Sequence, residues 1–148
     1  MKVFLGCDHN GYELKQHIAN FLEKGGHEVV DQGDKKLDPA DDFPVFAARV
    51  VNAMKASDET DPRGILICGS GQGMCMAANR HKGIRAALCW NIREAHSSRN
   101  DDNSNVLCLS ASSTNKKEAE SIISTWLSTS FAAAPRFVRR LREMDELV

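Results

Sequence analysis

Two hydrophobic periods alternate along the chain. Short apolar runs, VFLG at 3–6, EVVD at 28–31, GILIC at 64–68, RAALC at 85–89 and NVLCL at 105–109, have the pattern of buried parallel strands. Between them apolar residues recur at helical spacing. Residues 12–24 place Leu14, Ile18, Phe21 and Leu22 on one face and stop at Gly25-Gly26. Residues 43–55 open on Pro44 and keep Phe46, Val50 and Met54 in phase. Segments 74–80, 93–99 and 116–127 continue the alternation, and a last amphipathic helix is predicted within 131–147, opened by Pro135. Strand, helix, strand with short connections predicts an α/β fold: one Rossmann-like three-layer sandwich spanning 1–148, a five-stranded parallel sheet with helices on both faces. No linker, repeat or low-complexity segment interrupts it. The longest polar stretch, DKKLDPADD at 34–42, reads as a surface loop.

Composition narrows the class without choosing a function. The chain has 148 residues, 42% hydrophobic and 26% charged, ordinary values for a soluble globular domain. A net charge of −1 offers no electrostatic case for nucleic acid or an anionic membrane as partner. No apolar run approaches the ~20 residues of a membrane span. The opening MKVFLGCDHN meets Asp8 too soon for a signal peptide, so a cytoplasmic protein is expected. Five cysteines without a C-x-x-C pair, most beside apolar runs, read as reduced thiols. The histidines are scattered, and no metal site is expected.

In an open parallel sheet, ligands bind beyond the carboxyl ends of the strands. There the chain places Cys7-Asp8-His9-Asn10-Gly11, then Cys68-Gly69-Ser70-Gly71-Gln72-Gly73, then Trp90-Asn91 and Ser110-Ala111-Ser112. A dinucleotide site fits poorly. G-x-G-x-x-G is missing from the first turn, and Asp8 would face a pyrophosphate with the wrong charge. The second loop lacks the Lys-Ser/Thr pair of a P-loop. What Gly69, Ser70, Gly71 and Gly73 offer is a row of backbone N–H groups opening a helix, with Cys68 at its edge. A thiolate there suits proton abstraction beside a carbonyl. It would also suit nucleophilic attack, or Cys68 could simply be a core residue ending a strand.

The motifs G-C-D-H-x-G-Y-x-L-K, I-L-I-C-G-S-G-x-G followed by A-A-N, G-I-R-A, and S-R-N-D-D-N-S-N-V-L resemble the ribose-5-phosphate isomerase B and galactose-6-phosphate isomerase family. The resemblance spans residues 2 to about 144. It implies an aldose–ketose isomerase acting on ribose 5-phosphate through a cis-enediolate, without metal or organic cofactor. Cys68 matches the proton-transferring cysteine and the 69–73 loop the anion hole, with Ser70 as its hydroxyl residue. Asp8 and His9 match a pair that contacts sugar hydroxyls and phosphate. Arg136 and Arg140 match phosphate-binding arginines on a C-terminal helix that reaches a partner subunit. A homodimer, or a pair of dimers, with shared sites is implied.

Four departures qualify the resemblance. Asp101 stands where the family usually has a ring-opening histidine, and Ser112 where it often has an arginine. Asp42-Phe43-Pro44 replaces D-Y-P, and Phe137 replaces a histidine. Met74 occupies the position of the glutamate base of some relatives, which leaves Cys68 as the candidate. A hexose 6-phosphate isomerase, acting on allose or galactose 6-phosphate, is the first alternative. A sugar-phosphate binding protein without turnover is the second.

Overall fold

A computed structural model describes residues 1–148. In chain order it contains β1 (Lys2–Cys7), a 3-10 turn (His9–Gly11), α1 (Tyr12–Lys24), β2 (Glu28–Asp31), α2 (Phe43–Ala56) and β3 (Arg63–Cys68). There follow α3 (Gln72–Ala78), β4 (Ala86–Leu88), α4 (Ile92–Asn100), β5 (Val106–Ser110), α5 (Lys116–Ser128) and α6 (Pro135–Asp145). The strands form one parallel sheet in the order β2-β1-β3-β5-β4.

That order explains the layers. The chain steps from β1 sideways to β2, then crosses back over β1 to β3. Right-handed connections running in opposite directions deposit their helices on opposite faces. Helices α1, α4 and α5 cover the face bearing Val3, Leu5, Ile65, Ile67, Leu107 and Leu109. Helices α2 and α3 cover the face bearing Phe4, Leu66, Val106 and Cys108. The three central strands are therefore buried on both sides, which is why their sequences are apolar without alternation. The edge strands β2 and β4 are only half-buried.

Helix α3 runs from Gln72 to Ala78, not over 74–80. Gly71, at φ 76°, turns the chain straight into the helix. Two bonds between the Asn79 amide and the backbone of Ala86, 2.8 and 2.9 Å, then draw the chain away toward β4.

The tail is tied down at its root and exposed along its last helix. Trp126 is fully buried and donates its indole N–H to Ser104 Oγ at 2.8 Å. The guanidinium groups of Arg63 and Arg99 lie over its ring at 5.4 and 5.9 Å from the centroid. Truncating such a residue costs about 3–5 kcal/mol. Arg99 Nε–H donates to Thr129 O, and Ala132 N–H to Asn100 O. Residues 131–134 are not helical, and α6 itself has no buried residue.

The 34–42 segment has no regular secondary structure, but it is not a free surface loop. The buried Lys15 ammonium donates to Asp31 Oδ2 and Asp34 O, both at 2.8 Å, and Tyr12 Oη–H donates to Lys35 O. A turn over 38–41, with Pro39 second and Asp41 N–H donating to Asp38 O, swings Asp41 back against the sheet end.

Candidate active site

The connection direction reverses between β1 and β3, so their adjacent carboxyl ends open a crevice. Cys7 pairs with Ile67, and Asp8 N–H donates to Ile67 O at 3.2 Å. The following turn closes tightly on β3. A Cβ on Gly11 would lie 2.7 Å from the Ile67 carbonyl oxygen, so only glycine permits this approach.

Asp8 is buried and caps that turn, accepting from the N–H groups of Asn10 and Gly11 at 3.0 and 3.2 Å. Burial raises its carboxyl above the usual carboxylate range, against the opposing effect of the Gly11 bond. His9 Nδ1 lies 2.6 Å from Asp41 Oδ1, which also accepts the His9 backbone N–H at 3.2 Å. That bond to Asp41 raises the His9 imidazole above its ordinary value.

Cys68 ends β3 on the α2–α3 face, packed among Leu66, Met74 and Cys108 and 5% exposed. Its sulfur is joined to the glycine turn, where the Gly71 N–H donates to Sγ at 3.2 Å. A Cβ on Gly71 would meet Leu88 Cδ1 at 2.5 Å and Leu109 backbone atoms at 3.0 Å. Gly73 lies under the Phe43 ring, where a Cβ would come within 2.9 Å of Cζ. Gly69 is backed by Asn10, which joins the two walls of the crevice.

The loop is a smaller cradle than a row of five free donors. Gly71 N–H is spent on the sulfur and Gln72 N–H on Ser70 Oγ at 3.3 Å. The N–H groups of Gly69, Ser70 and Gly73 donate to nothing within the chain. Ser110 Oγ–H and Ser112 N–H both donate to Gly69 O, at 2.8 and 3.0 Å, so Ser112 stands beside the loop without bringing a charge.

Asp101, Arg136 and Arg140 are not in this crevice. Cys68 pairs with Ser110 at the carboxyl end of β5, while Asp101 follows α4 and precedes the amino end, where Val106 pairs with Gly64. Crossover helices run antiparallel to the strands, so the length of β5, about 13 Å, separates the two ends. Asp101 hydrogen-bonds with Asn100 Nδ2 at 2.7 Å. Burial and the neighbouring Asp101 raise the Asp102 carboxyl, with Arg140 opposing. Arg85 pairs with Asp145 at 3.7 Å, which anchors α6 to this same lower edge. The sequence-predicted site residues thus fall into two groups, toward opposite ends of the sheet.

The model of the Ribose/Galactose Isomerase family matches residues 3–144. The chain belongs to the ribose/galactose isomerase family. It is 36% identical over 146 residues to ribose-5-phosphate isomerase B of Mycolicibacterium paratuberculosis, covering 99% of this chain and 91% of that protein. Among solved structures, ribose-5-phosphate isomerase B of Clostridium thermocellum superposes with a TM-score of 0.93 at 39% identity, covering 99% of this chain and 97% of that one. The Mycoplasma genitalium enzyme with bound ribulose 5-phosphate superposes with a TM-score of 0.92 at 39% identity, covering 99% and 95%.

Within this ribose/galactose isomerase fold, Met74 is fully buried, so the position some relatives give to a glutamate carries no acid–base group here. Asn10 and Ser110 were placed at the strand ends by the sequence but given no role, and Asp41 escaped it. Asp41 lies in a polar stretch whose one signal was the Asp38-Pro39 turn signature that folds it back.

Proposed function

We propose that this chain interconverts ribose 5-phosphate and ribulose 5-phosphate, with Cys68 as the proton-transferring base. The observation that carries the reading is the Cys68 sulfur bonded to the Gly71 N–H where β3 opens into the glycine turn. Its support from outside the chain is the 39% identity, along 99% of the length, to a protein seen with ribulose 5-phosphate.

With the open-chain aldose in the crevice, the Cys68 thiolate takes the C2 proton. The released pair forms the C1–C2 double bond, and the C1 carbonyl oxygen becomes negative. The unpartnered N–H groups of Ser70 and Gly73, with the Ser70 hydroxyl, are the donors for enediolate oxygens. The C2 hydroxyl proton passes to the C1 oxygen, the thiol returns its proton to C1 as the C2 oxygen closes to the carbonyl, and Cys68 is again a thiolate. No electron leaves the sugar, so the chemistry needs no cofactor.

The second group of residues belongs to another copy. In a homodimer, Arg136 and Arg140 of the partner subunit bind the phosphate, and Asp101 of the partner subunit accepts a hydroxyl proton as the furanose opens. Exposed Val138 and Met144 on α6 supply apolar surface for that contact. We take residues 1–148 as one catalytic domain acting in the cytoplasm; no helix is long and apolar enough to cross a membrane.

Complementation tests the shared site. Cys68→Ser chains and chains carrying Arg136→Ala with Arg140→Ala are each expected to be inactive. Co-expression leaves one intact site in each heterodimer, so about a quarter of wild-type activity should return. No recovery, with heterodimers demonstrated, overturns the shared site. Proton exchange at C2 across pentose and hexose phosphates tests the substrate, and preference for a hexose 6-phosphate would replace the pentose assignment.

A further inference from the structure

Asp41 is built into the crevice although it lies in a loop. The Lys15 bonds to Asp31 and Asp34 hold the segment after β2, and the 38–41 turn presents Asp41 to the strand end. Its side chain is 5% exposed. One carboxylate oxygen accepts twice from His9, from ring Nδ1 at 2.6 Å and from the backbone N–H at 3.2 Å. Two bonds to one residue fix both the position of the His9 backbone and the orientation of its ring. The other oxygen, Oδ2, is buried without a hydrogen-bond partner, with the Asp34 side chain beside Asp41. A carboxylate oxygen of Asp8, one of Asp41 and a ring nitrogen of His9 all lie within 4.8 Å of one another.

We propose that Asp41 is a positioning residue: it turns His9 Nδ1 inward and keeps the ring cationic, so that Nε2–H is presented to an anionic oxygen of the sugar phosphate. The inference rests on the sugar-phosphate reading above and deepens it. Nδ1 is committed to Asp41, so Nε2 is the ring atom left for a ligand, and it makes no hydrogen bond within the chain. The charges that bear on the ring are the carboxylates of Asp41, Asp8 and Asp38, and each favours the imidazolium. Asp34 lies next to Asp41, tempered by Arg49. This wall would otherwise repel a phosphate dianion. With Ser112 uncharged beside the loop, His9 is a cation at the strand end itself, beside Asp8 and Asp41.

The test follows the His9 ring directly by NMR, from pH 5 to 9, with the protein alone and with inorganic phosphate. Wild-type His9 should titrate above about 6.5, its unperturbed value. Asp41→Asn, which keeps the shape and loses the charge, should lower that midpoint by about one pH unit, as loss of an adjacent opposite charge does. Asp41→Glu should restore most of it. In turnover, the KM of Asp41→Asn for ribose 5-phosphate should approach the wild-type value at pH 6. It should rise about tenfold above wild type at pH 8, where a neutral His9 gives up a charge-assisted bond. The kcat should stay within about threefold. A wild-type midpoint at or below the ordinary value, or parallel KM–pH profiles for Asp41→Asn and wild type, overturns the proposal. Should phosphate binding and the His9 midpoint respond as stated in a protein that does not turn over ribose 5-phosphate, the substrate reading fails and the positioning role stands.

Discussion

The amide hydrogen of Gly71 points at the sulfur of Cys68, with N and Sγ 3.2 Å apart. The residue that ends β3 and the residue that starts the turn into α3 are thereby locked in one geometry. A strand end, a left-handed glycine and a short helix meet at a single sulfur.

If that sulfur is the base, Cys68→Ser should abolish isomerisation, because a hydroxyl is a far weaker base than a thiolate at neutral pH. Binding of a phosphate-bearing inhibitor should change by no more than several-fold, measured by calorimetry. Turnover near the wild-type rate would remove Cys68 from the mechanism.

Gly71→Ala should damage both fold and activity. The residue sits at φ 76°, and its Cβ would press on Leu88 and the Leu109 backbone. Gly83 is a matched control, at φ 78° with nothing within 4 Å of its Cβ. Gly83→Ala should cost only the left-handed penalty of about 1–2 kcal/mol and leave activity intact. Gly71→Ala should cost more in a denaturant titration, by about 1–3 kcal/mol of overpacking, and abolish turnover. Equal losses at the two sites would mean that the bend tolerates a methyl group.

Arg140→Ala should raise KM by more than it lowers kcat. Contacts to a phosphate remote from C1 and C2 hold ground and transition state alike. Steady-state kinetics decides it, and a fall in kcat at constant KM would give the α6 arginine another role.

Asp61→Asn should destabilise the protein by about 1–3 kcal/mol, since it leaves the buried Arg63 guanidinium without its carboxylate partner. The lower part of that range is expected because Asp61 is itself 57% exposed and water screens the pair. Arg63 holds the Asp61 carboxyl below the usual range. A depressed carboxyl adds stability above its unfolded value, about pH 4, and loses it as pH falls through the folded value. The gap between wild type and Asp61→Asn, followed by urea unfolding, should therefore be widest near neutrality and close toward pH 2. A constant gap would mean that the charge of Asp61 contributes nothing.

Strands, helices and the cysteine loop were legible in the chain because each depends on near neighbours. The runs around Leu5, Ile65 and Leu107 announce burial on two faces, and Gly25 marks the end of α1. Family motifs singled out Cys68, Asp8 and His9, which lie at the carboxyl ends of β1 and β3. Legibility failed where a residue's role depends on what lies across the sheet. Asp101 and Cys68 are named together by motif, yet they stand at opposite ends of β5.

From the sequence alone came the parallel α/β alternation, the family motifs and the thiol at a glycine turn, because backbone propensity and hydrophobic period act over a few residues. Only the tertiary structure decided the order β2-β1-β3-β5-β4, the return of Asp41 onto His9 and the placing of Cys68 and Asp101 toward opposite ends of the sheet. Those follow from which strands pair and where crossovers land. That choice is made by packing among residues tens of positions apart, and no local pattern encodes it.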